Sequence, residues 1–281
     1  MLFQTRWLTF PDSGLEVGID TISDYDARRE EWLRSQPRIP ETCQWIFRVP
    51  EYRRWYSGDG PPILICLGSV GCGKSTTAGA VVDSLHQDQS QRDRGVITFF
   101  VNTSPNHENT AMGLVRALIK QLVAHYRETE RELHSDTQTA LKEAFRYPKS
   151  LQDIGILTRL LELLITGSGG YTFVIDGVDY LQEQEIVSYL KVVRDIFKKQ
   201  AGPRSNSKFI MFCRETLGRG IRPESLASSI TVRIGLAHLK HDIYRYVDYL
   251  IAAKQLDREI TTDDALLDEI KRVLKANSAK M

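Results

Sequence analysis

The sequence of 281 residues lacks the features that mark several classes of protein. No uncharged apolar run approaches the roughly 20 residues that a membrane-spanning helix needs. The four cysteines form no C-x-x-C pair and the six histidines are scattered, which argues against structural zinc and against a disulfide framework. The first residues lack the basic start, apolar core and cleavage site of a signal peptide. We therefore expect a soluble, cytoplasmic protein.

An excess of charge of one sign is also missing. The chain has 37 basic and 36 acidic residues, and the formal net charge of +1 gives no overall attraction to nucleic acids or anionic lipids. The 42% hydrophobic and 26% charged residues are those of an ordinary globular protein. We expect neither a specific nucleic-acid partner nor a membrane span.

Short apolar runs and helical patterns alternate through the middle of the chain. The spacing of Ala111, Leu114, Leu118 and Leu122 is that of one apolar helix face. Five apolar runs bounded by turn residues predict strands, at residues 63–68, 95–101, 171–176, 208–213 and 229–234. This alternation predicts an α/β fold with a mostly parallel five-stranded sheet flanked by helices.

The segment "GSVGCGKST" (68–76) matches the phosphate-binding motif G-x-x-x-x-G-K-[ST]. Glycines let such a loop wrap around phosphate, and the next helix offers its positive end. Lys74 is expected to reach the β- and γ-phosphates, Ser75 to bind Mg²⁺ and Thr76 to contact the α-phosphate. The motif lies between a predicted strand and a predicted helix, as it must. The nucleotide-binding residues predicted in this loop are Gly68, Gly71, Gly73, Lys74, Ser75 and Thr76.

A second segment, "VIDGVDY" (174–180), ends a predicted strand in an acid. Asp176 would lie at the carboxyl end of that strand, where a carboxylate can hold Mg²⁺ directly or through water. Two interpretations of Asp179 stay open. It acts in catalysis by positioning water, or it caps the helix expected near Leu181.

The predicted strand "KFIMFC" is followed directly by Arg214. A cation at the tip of a strand beside the acid strand can sense a γ-phosphate, and this catalytic role is one interpretation of Arg214. The alternative is a solvated arginine that pairs with Glu215.

Together these segments resemble the NACHT branch of the STAND class of P-loop NTPases, and more narrowly the fungal NACHT proteins linked to heterokaryon incompatibility and innate-immunity-like signalling. The resemblance covers about residues 40–275. Besides the phosphate loop it includes "TCQWIFRVPEYRRW", "FFVNTSPNHENTAMGLVRALIKQL", "VIDGVD", "FIMFCRET" and "HDIYRYVDYLI". It implies a leader or linker at 1–58, a NACHT-type NTPase domain at 59–236 and a truncated helical segment at 237–281.

The resemblance is the main reason to expect that Arg214 senses the γ-phosphate, and it also implies a function. In that family the NTPase module is a signalling switch: it rests with ADP or GDP, takes up ATP or GTP with Mg²⁺, and then opens and oligomerises. Self-association or binding to full-length NACHT partners is expected. The family commonly has glutamate where this chain has Tyr180, so we expect slow or impaired hydrolysis.

Several alternatives stay open. The chain could be a non-catalytic, truncated NACHT protein that acts by binding full-length partners. It could also be a small-molecule P-loop kinase, whose lid would use Arg219 and Arg222. Trp45 and Trp55 either line the adenine side of the pocket or anchor the leader. No element selects adenine or guanine.

Overall fold

The computed structural model describes residues 39–88, 94–101, 110–129, 131–166, 170–199, 207–215, 229–257 and 259–278. The strands are β1 (Ile63–Leu67), β2 (Gly95–Phe100), β3 (Tyr171–Asp176), β4 (Lys208–Cys213) and β5 (Ser229–Arg233). The α-helices are α1 (Pro50–Ser57), α2 (Lys74–Gln87), α3 (Ala111–Glu128), α4 (Ser135–Arg146), α5 (Ile154–Thr166), α6 (Glu183–Lys199), α7 (Leu236–Leu256) and α8 (Asp264–Ser278). Short 3₁₀ turns occupy Ile46–Arg48, Pro148–Gln152 and Val178–Tyr180.

The five strands form one sheet in the order β2-β3-β4-β1-β5, and every neighbouring pair is parallel. The predicted α/β fold with a five-stranded sheet is therefore confirmed, and the sheet is parallel throughout. In the register, Leu67 pairs with Cys213 and Asp176 pairs with Phe212. The carboxyl ends of β1, β4 and β3 thus meet at one edge of the sheet, with β4 in the middle.

The central strands are buried along their whole length because helices cover both faces of the sheet. Every residue of β1, β3 and β4 is buried, which explains why these strands read as continuous apolar runs rather than as alternating patterns. The predicted apolar stripe of α3 is confirmed, since Leu114, Leu118 and Leu122 are all buried in the core. No helix in the described part of the chain has the length and apolar character required to cross a membrane.

The start of α5 differs from the pattern in the sequence. The spacing of "SLQD" (150–153) predicts a capping box that begins at Ser150. In the structure, Pro148–Gln152 form a 3₁₀ turn and Asp153 is the residue that caps the helix. Its Oδ1 atom accepts hydrogen bonds from the backbone N–H groups of Gly155, at 2.7 Å, and Ile156, at 3.2 Å.

The outer edge of β2 is held by a side chain instead of another strand. The Gln121 side chain, on α3, accepts a hydrogen bond from the Thr98 N–H at 3.0 Å and donates one to the Thr98 carbonyl at 2.7 Å. Gln121 is 8% exposed and Thr98 is fully buried, so water does not replace these bonds. The side-chain amide therefore completes the ladder of an edge strand.

We expect Gln121→Leu to lower the free energy of unfolding by about 2–4 kcal/mol, because it leaves two buried backbone groups without partners. Urea unfolding measures this loss. The matched control is Gln184→Leu on the exposed face of α6, which should change stability by less than about 0.5 kcal/mol. A loss below about 1 kcal/mol for Gln121→Leu would show that the edge of β2 does not depend on this amide.

Candidate functional site

The loop between β1 and α2 has the backbone that the phosphate-binding motif requires. Gly71 and Gly73 have φ angles of 76° and 80°, in the left-handed region that favours glycine. A Cβ atom at either position would meet no heavy atom within 4 Å, so backbone conformation, and not crowding, selects glycine there. Gly68 differs, because a Cβ atom on it would overlap the Cys72 sulfur and lie 3.3 Å from Ile234 Cβ. Successive backbone turns of this kind form anion-binding concavities.

Lys74 begins α2 and extends back across the loop. Its Nζ donates hydrogen bonds to the carbonyl oxygens of Gly68, at 3.0 Å, and Ser69, at 2.7 Å. Ser75 and Thr76 follow in the first turn and are half-buried. The cation and both hydroxyl groups therefore lie at the positive end of α2, next to the loop.

Asp176 is the last residue of β3 and is 4% exposed. The pKa of its carboxyl group is raised to about 6, chiefly by burial. The charge of Asp179 contributes to this rise, whereas the Ser75 hydroxyl and Lys74 oppose it. Its Oδ1 atom has no hydrogen-bond partner among the described residues. A buried carboxylate oxygen without a partner, beside a serine hydroxyl, is a donor set that fits a hard divalent cation such as Mg²⁺.

Asp179 lies on the 3₁₀ turn after β3 and forms an ion pair with Arg214. Arg214 Nε is 2.8 Å from Asp179 Oδ2, although the two groups are not aligned as a hydrogen bond. The Asp179 side chain is 3% exposed and the Arg214 side chain is 41% exposed. Among the described residues Arg214 thus pairs with Asp179, whereas the alternative from the sequence assigned it to Glu215.

Asp179 does not cap the following helix. That helix, α6, begins at Glu183, and neither carboxylate oxygen of Asp179 accepts a hydrogen bond within the described part of the chain. The capping alternative is therefore wrong. The structure brings together Lys74, Ser75 and both acids at one sheet edge, with Arg214 at the tip of the strand between them.

A cavity of about 510 Å³ lies between the segment before β1 and helix α7. The Cys43 N–H donates to Asp242 Oδ2 at 2.8 Å, and the Thr77 hydroxyl lies 3.7 Å from Cys43 Sγ. Because Thr77 is on the first turn of α2, Cys43 connects the cavity residue Asp242 to the helix that carries Lys74. The cavity is lined by Glu41, Gln44, Trp45, Arg48, His238, His241, Asp242 and Arg245.

Trp45 and Trp55, for which the sequence leaves two interpretations open, have different surroundings. Trp55 is 1% exposed and its indole N–H donates to the Pro62 carbonyl at 3.0 Å, so it anchors the segment on the core. Trp45 is half-buried, lines the cavity, and packs against His238 with ring centroids 4.9 Å apart. The anchoring interpretation therefore applies to Trp55. That Trp45 lines the adenine side of a nucleotide pocket stays a prediction.

The residues that α7 contributes to the cavity are absent from the site predicted from sequence. The segment "HDIYRYVDYLI" contains His241, Asp242 and Arg245, but in the sequence it contributes only to the family resemblance. Nothing in the local pattern indicated contact with residues about 200 positions earlier. Arg219 and Arg222, the lid of the kinase alternative, lie outside the described residues.

Comparison with known proteins gives one family. The family model described as "Nephrocystin 3, N-terminal" matches residues 41–214, more than half of the chain. No curated protein matches this chain significantly. A chain of the HORMA:CdnC:Trip13 complex of E. coli MS115-1 is 13% identical with a TM-score of 0.36, over 94% of this chain and 78% of that one, a similarity too low to carry an argument. The match spans the phosphate loop, both acids and Arg214, and this chain belongs to the nephrocystin 3 N-terminal family.

Proposed function

We propose that this protein is a nucleotide-dependent signalling switch of the NACHT and STAND type, which binds ATP or GTP and hydrolyses it slowly. The observation that carries the proposal is the loop of residues 68–73, with left-handed Gly71 and Gly73, beside the buried carboxylate of Asp176. This combination joins an anion-binding backbone to a cation-binding acid, which is what a Mg²⁺–nucleotide complex requires.

The loop residues have distinct roles in this proposal. Lys74 would bind the β- and γ-phosphates, Thr76 the α-phosphate, and Gly68, Gly71 and Gly73 shape the backbone around them. Ser75 and Asp176 would hold Mg²⁺. When bound, the ion neutralises charge on the phosphate oxygens. The unpartnered Oδ1 atom of Asp176 supports its assignment as a metal ligand.

The cavity between the segment before β1 and α7 is the candidate site for the base and ribose. Its volume of about 510 Å³ is in the range of small-molecule sites, and Trp45 offers an aromatic surface. Helix α7 supplies half of its lining, so a bound nucleoside would contact both the leader and the C-terminal helices. This arrangement supports a switch, because the ligand then stabilises one arrangement of the two parts over others.

Slow hydrolysis is supported by the surroundings of the second acid. Asp179 is buried and paired with Arg214, and the next position holds Tyr180 in place of a carboxylate. A positioned base typically contributes about 10²–10⁴-fold to a rate. A switch that turns over slowly holds its nucleotide long enough to self-associate or to bind a full-length partner.

We expect Lys74→Ala to weaken nucleotide binding about 10- to 100-fold, because it removes charge-assisted hydrogen bonds to phosphate. Nucleotide released by denaturation and identified by chromatography shows what the purified protein carries, and calorimetric titration gives the affinity. Light scattering on the same samples reports self-association in the triphosphate state. Lys191→Ala, on the exposed face of α6, is the matched control. Wild-type protein that binds neither ATP nor GTP would overturn the proposal.

The wild-type protein should release phosphate at less than about 0.1 per second, because a typical turnover of about 10 per second is reduced by the missing base. A phosphate-release assay under saturating triphosphate measures the rate. Fast turnover that is abolished by Asp179→Asn would contradict the switch and identify Asp179 as a catalytic residue.

The raised pKa of Asp176 predicts a pH-dependent difference between the wild type and Asp176→Asn in EDTA. The folded state favours the protonated carboxyl group of Asp176 over the charged one. The contribution of this group to the free energy of unfolding is therefore complete below pH 3.8 and is lost as the pH rises through about 6. At pH 7.5 the variant should be more stable by about 3 kcal/mol, the free energy that corresponds to this rise in pKa.

The advantage of Asp176→Asn should vanish near pH 4, as measured by urea unfolding at several pH values. The exposed Asp264→Asn is the control and should change stability by at most about 0.5 kcal/mol at every pH. A difference between Asp176→Asn and the wild type that stays constant between pH 4 and 7.5 would contradict the assignment.

A further inference from the structure

Tyr180 is fixed by the turn that follows β3. Gly177 has a φ angle of 83°, and its carbonyl accepts a hydrogen bond from the Tyr180 N–H at 2.9 Å. A Cβ atom at position 177 would lie 3.1 Å from Tyr180 Cδ2, so the ring folds back over this glycine. The Gly177 N–H is itself bonded to the Phe212 carbonyl at 3.1 Å. The turn that carries the tyrosine ring is therefore hydrogen-bonded to the end of β4, two residues before Arg214.

Arg214 contacts two consecutive residues of that turn. Its guanidinium carbon lies 5.5 Å from the centre of the Tyr180 ring, within the range of a cation–π interaction. Its Nε atom lies 2.8 Å from the Asp179 carboxylate. A ring and a carboxylate on one short 3₁₀ turn thus hold the same guanidinium group.

The two contacts differ in strength and in exposure. Asp179 is buried, so separating it from Arg214 leaves a carboxylate away from water, which is costly. Tyr180 is 49% exposed, and its ring adds a weaker interaction that restricts where the guanidinium group can move. The ring therefore adds a weaker contact to the ion pair that Asp179 and Arg214 already form.

We propose that Tyr180 is a positioning residue that, together with Asp179, holds Arg214 in place and weakens its contact with a γ-phosphate, so that it sets how strongly the site distinguishes a nucleoside triphosphate from a diphosphate. The inference rests on the proposed function. In this proposal, Arg214 gives up its contacts with the ring and the carboxylate when it binds a γ-phosphate. Each contact subtracts from the affinity for the triphosphate and leaves that for the diphosphate unchanged.

The test compares the dissociation constants of ADP and ATPγS, and of GDP and GTPγS, by calorimetry with Mg²⁺ for the wild type, Tyr180→Leu and Tyr180→Phe. Tyr180→Leu removes the ring and should raise the ratio of diphosphate to triphosphate dissociation constants about 2- to 5-fold, the range of an exposed cation–π contact. Tyr180→Phe keeps the ring and should retain the wild-type ratio. Tyr249→Leu is the matched control, since Tyr249 is 50% exposed on α7.

A second comparison separates positioning from a general effect on structure. In an Arg214→Gln background, Tyr180→Leu should leave the ratio unchanged, because the group that it positions is gone. A ratio that is unchanged or lower in Tyr180→Leu, or an increase that persists without Arg214, would overturn the inference while nucleotide binding by the wild type upholds the switch. A wild-type protein that binds none of the four nucleotides would overturn both.

Discussion

The last two carbonyl oxygens of β4 hold the two loops on which the candidate site depends. The Cys213 carbonyl accepts a hydrogen bond from the Gly68 N–H, where the phosphate loop begins. The Phe212 carbonyl accepts one from the Gly177 N–H, just before the 3₁₀ turn that carries Asp179. Both bonds are 3.1 Å long. Because β4 lies between β1 and β3, a shift in its register would separate Lys74 from Asp176 and displace Arg214 as well.

The electrostatics of this edge follow from that geometry. Two acids that are almost entirely shielded from water lie close enough for the charge of Asp179 to raise the pKa of Asp176. Arg214 balances the charge of one of them, and Lys74 acts on the other while it donates to the loop carbonyls. A divalent cation at Asp176 would reduce the remaining repulsion. The carboxylates and cations are thus interdependent, and a substitution at one of them alters the others.

Much of the fold could be predicted from the sequence because its signals are local. The buried strands are apolar runs bounded by turn residues, and the phosphate loop is a fixed spacing of glycine, lysine and serine. The same reasoning failed at the start of α5. There Ser150 fits a capping box, yet the chain tightens into a 3₁₀ turn and Asp153 becomes the cap.

The rest of the fold and of the candidate site could not be predicted because it depends on contacts between distant residues. Gln121 is one polar residue on a helix, and only the packed structure shows that it completes the edge of β2. Asp242 reaches Cys43 across 199 positions, and Tyr180 meets Arg214 only because β3 and β4 are neighbours. Spacing along the chain contains none of this information.

The packing of the C-terminal helices has a consequence for how the protein opens. Among the described residues, helices α7 and α8 share a small buried core of Val247, Ile251 and Leu267, with Ile260 and Ile270 packed against it. The sheet and its helices share one much larger core. A cooperative unit with so small a core opens at a much lower free energy than the whole domain. Backbone amides of α8 would then exchange hydrogen with solvent through local opening, whereas those of β1 and β4 would exchange only on global unfolding. Helix α7 thus carries half of the cavity lining and also part of this smaller core.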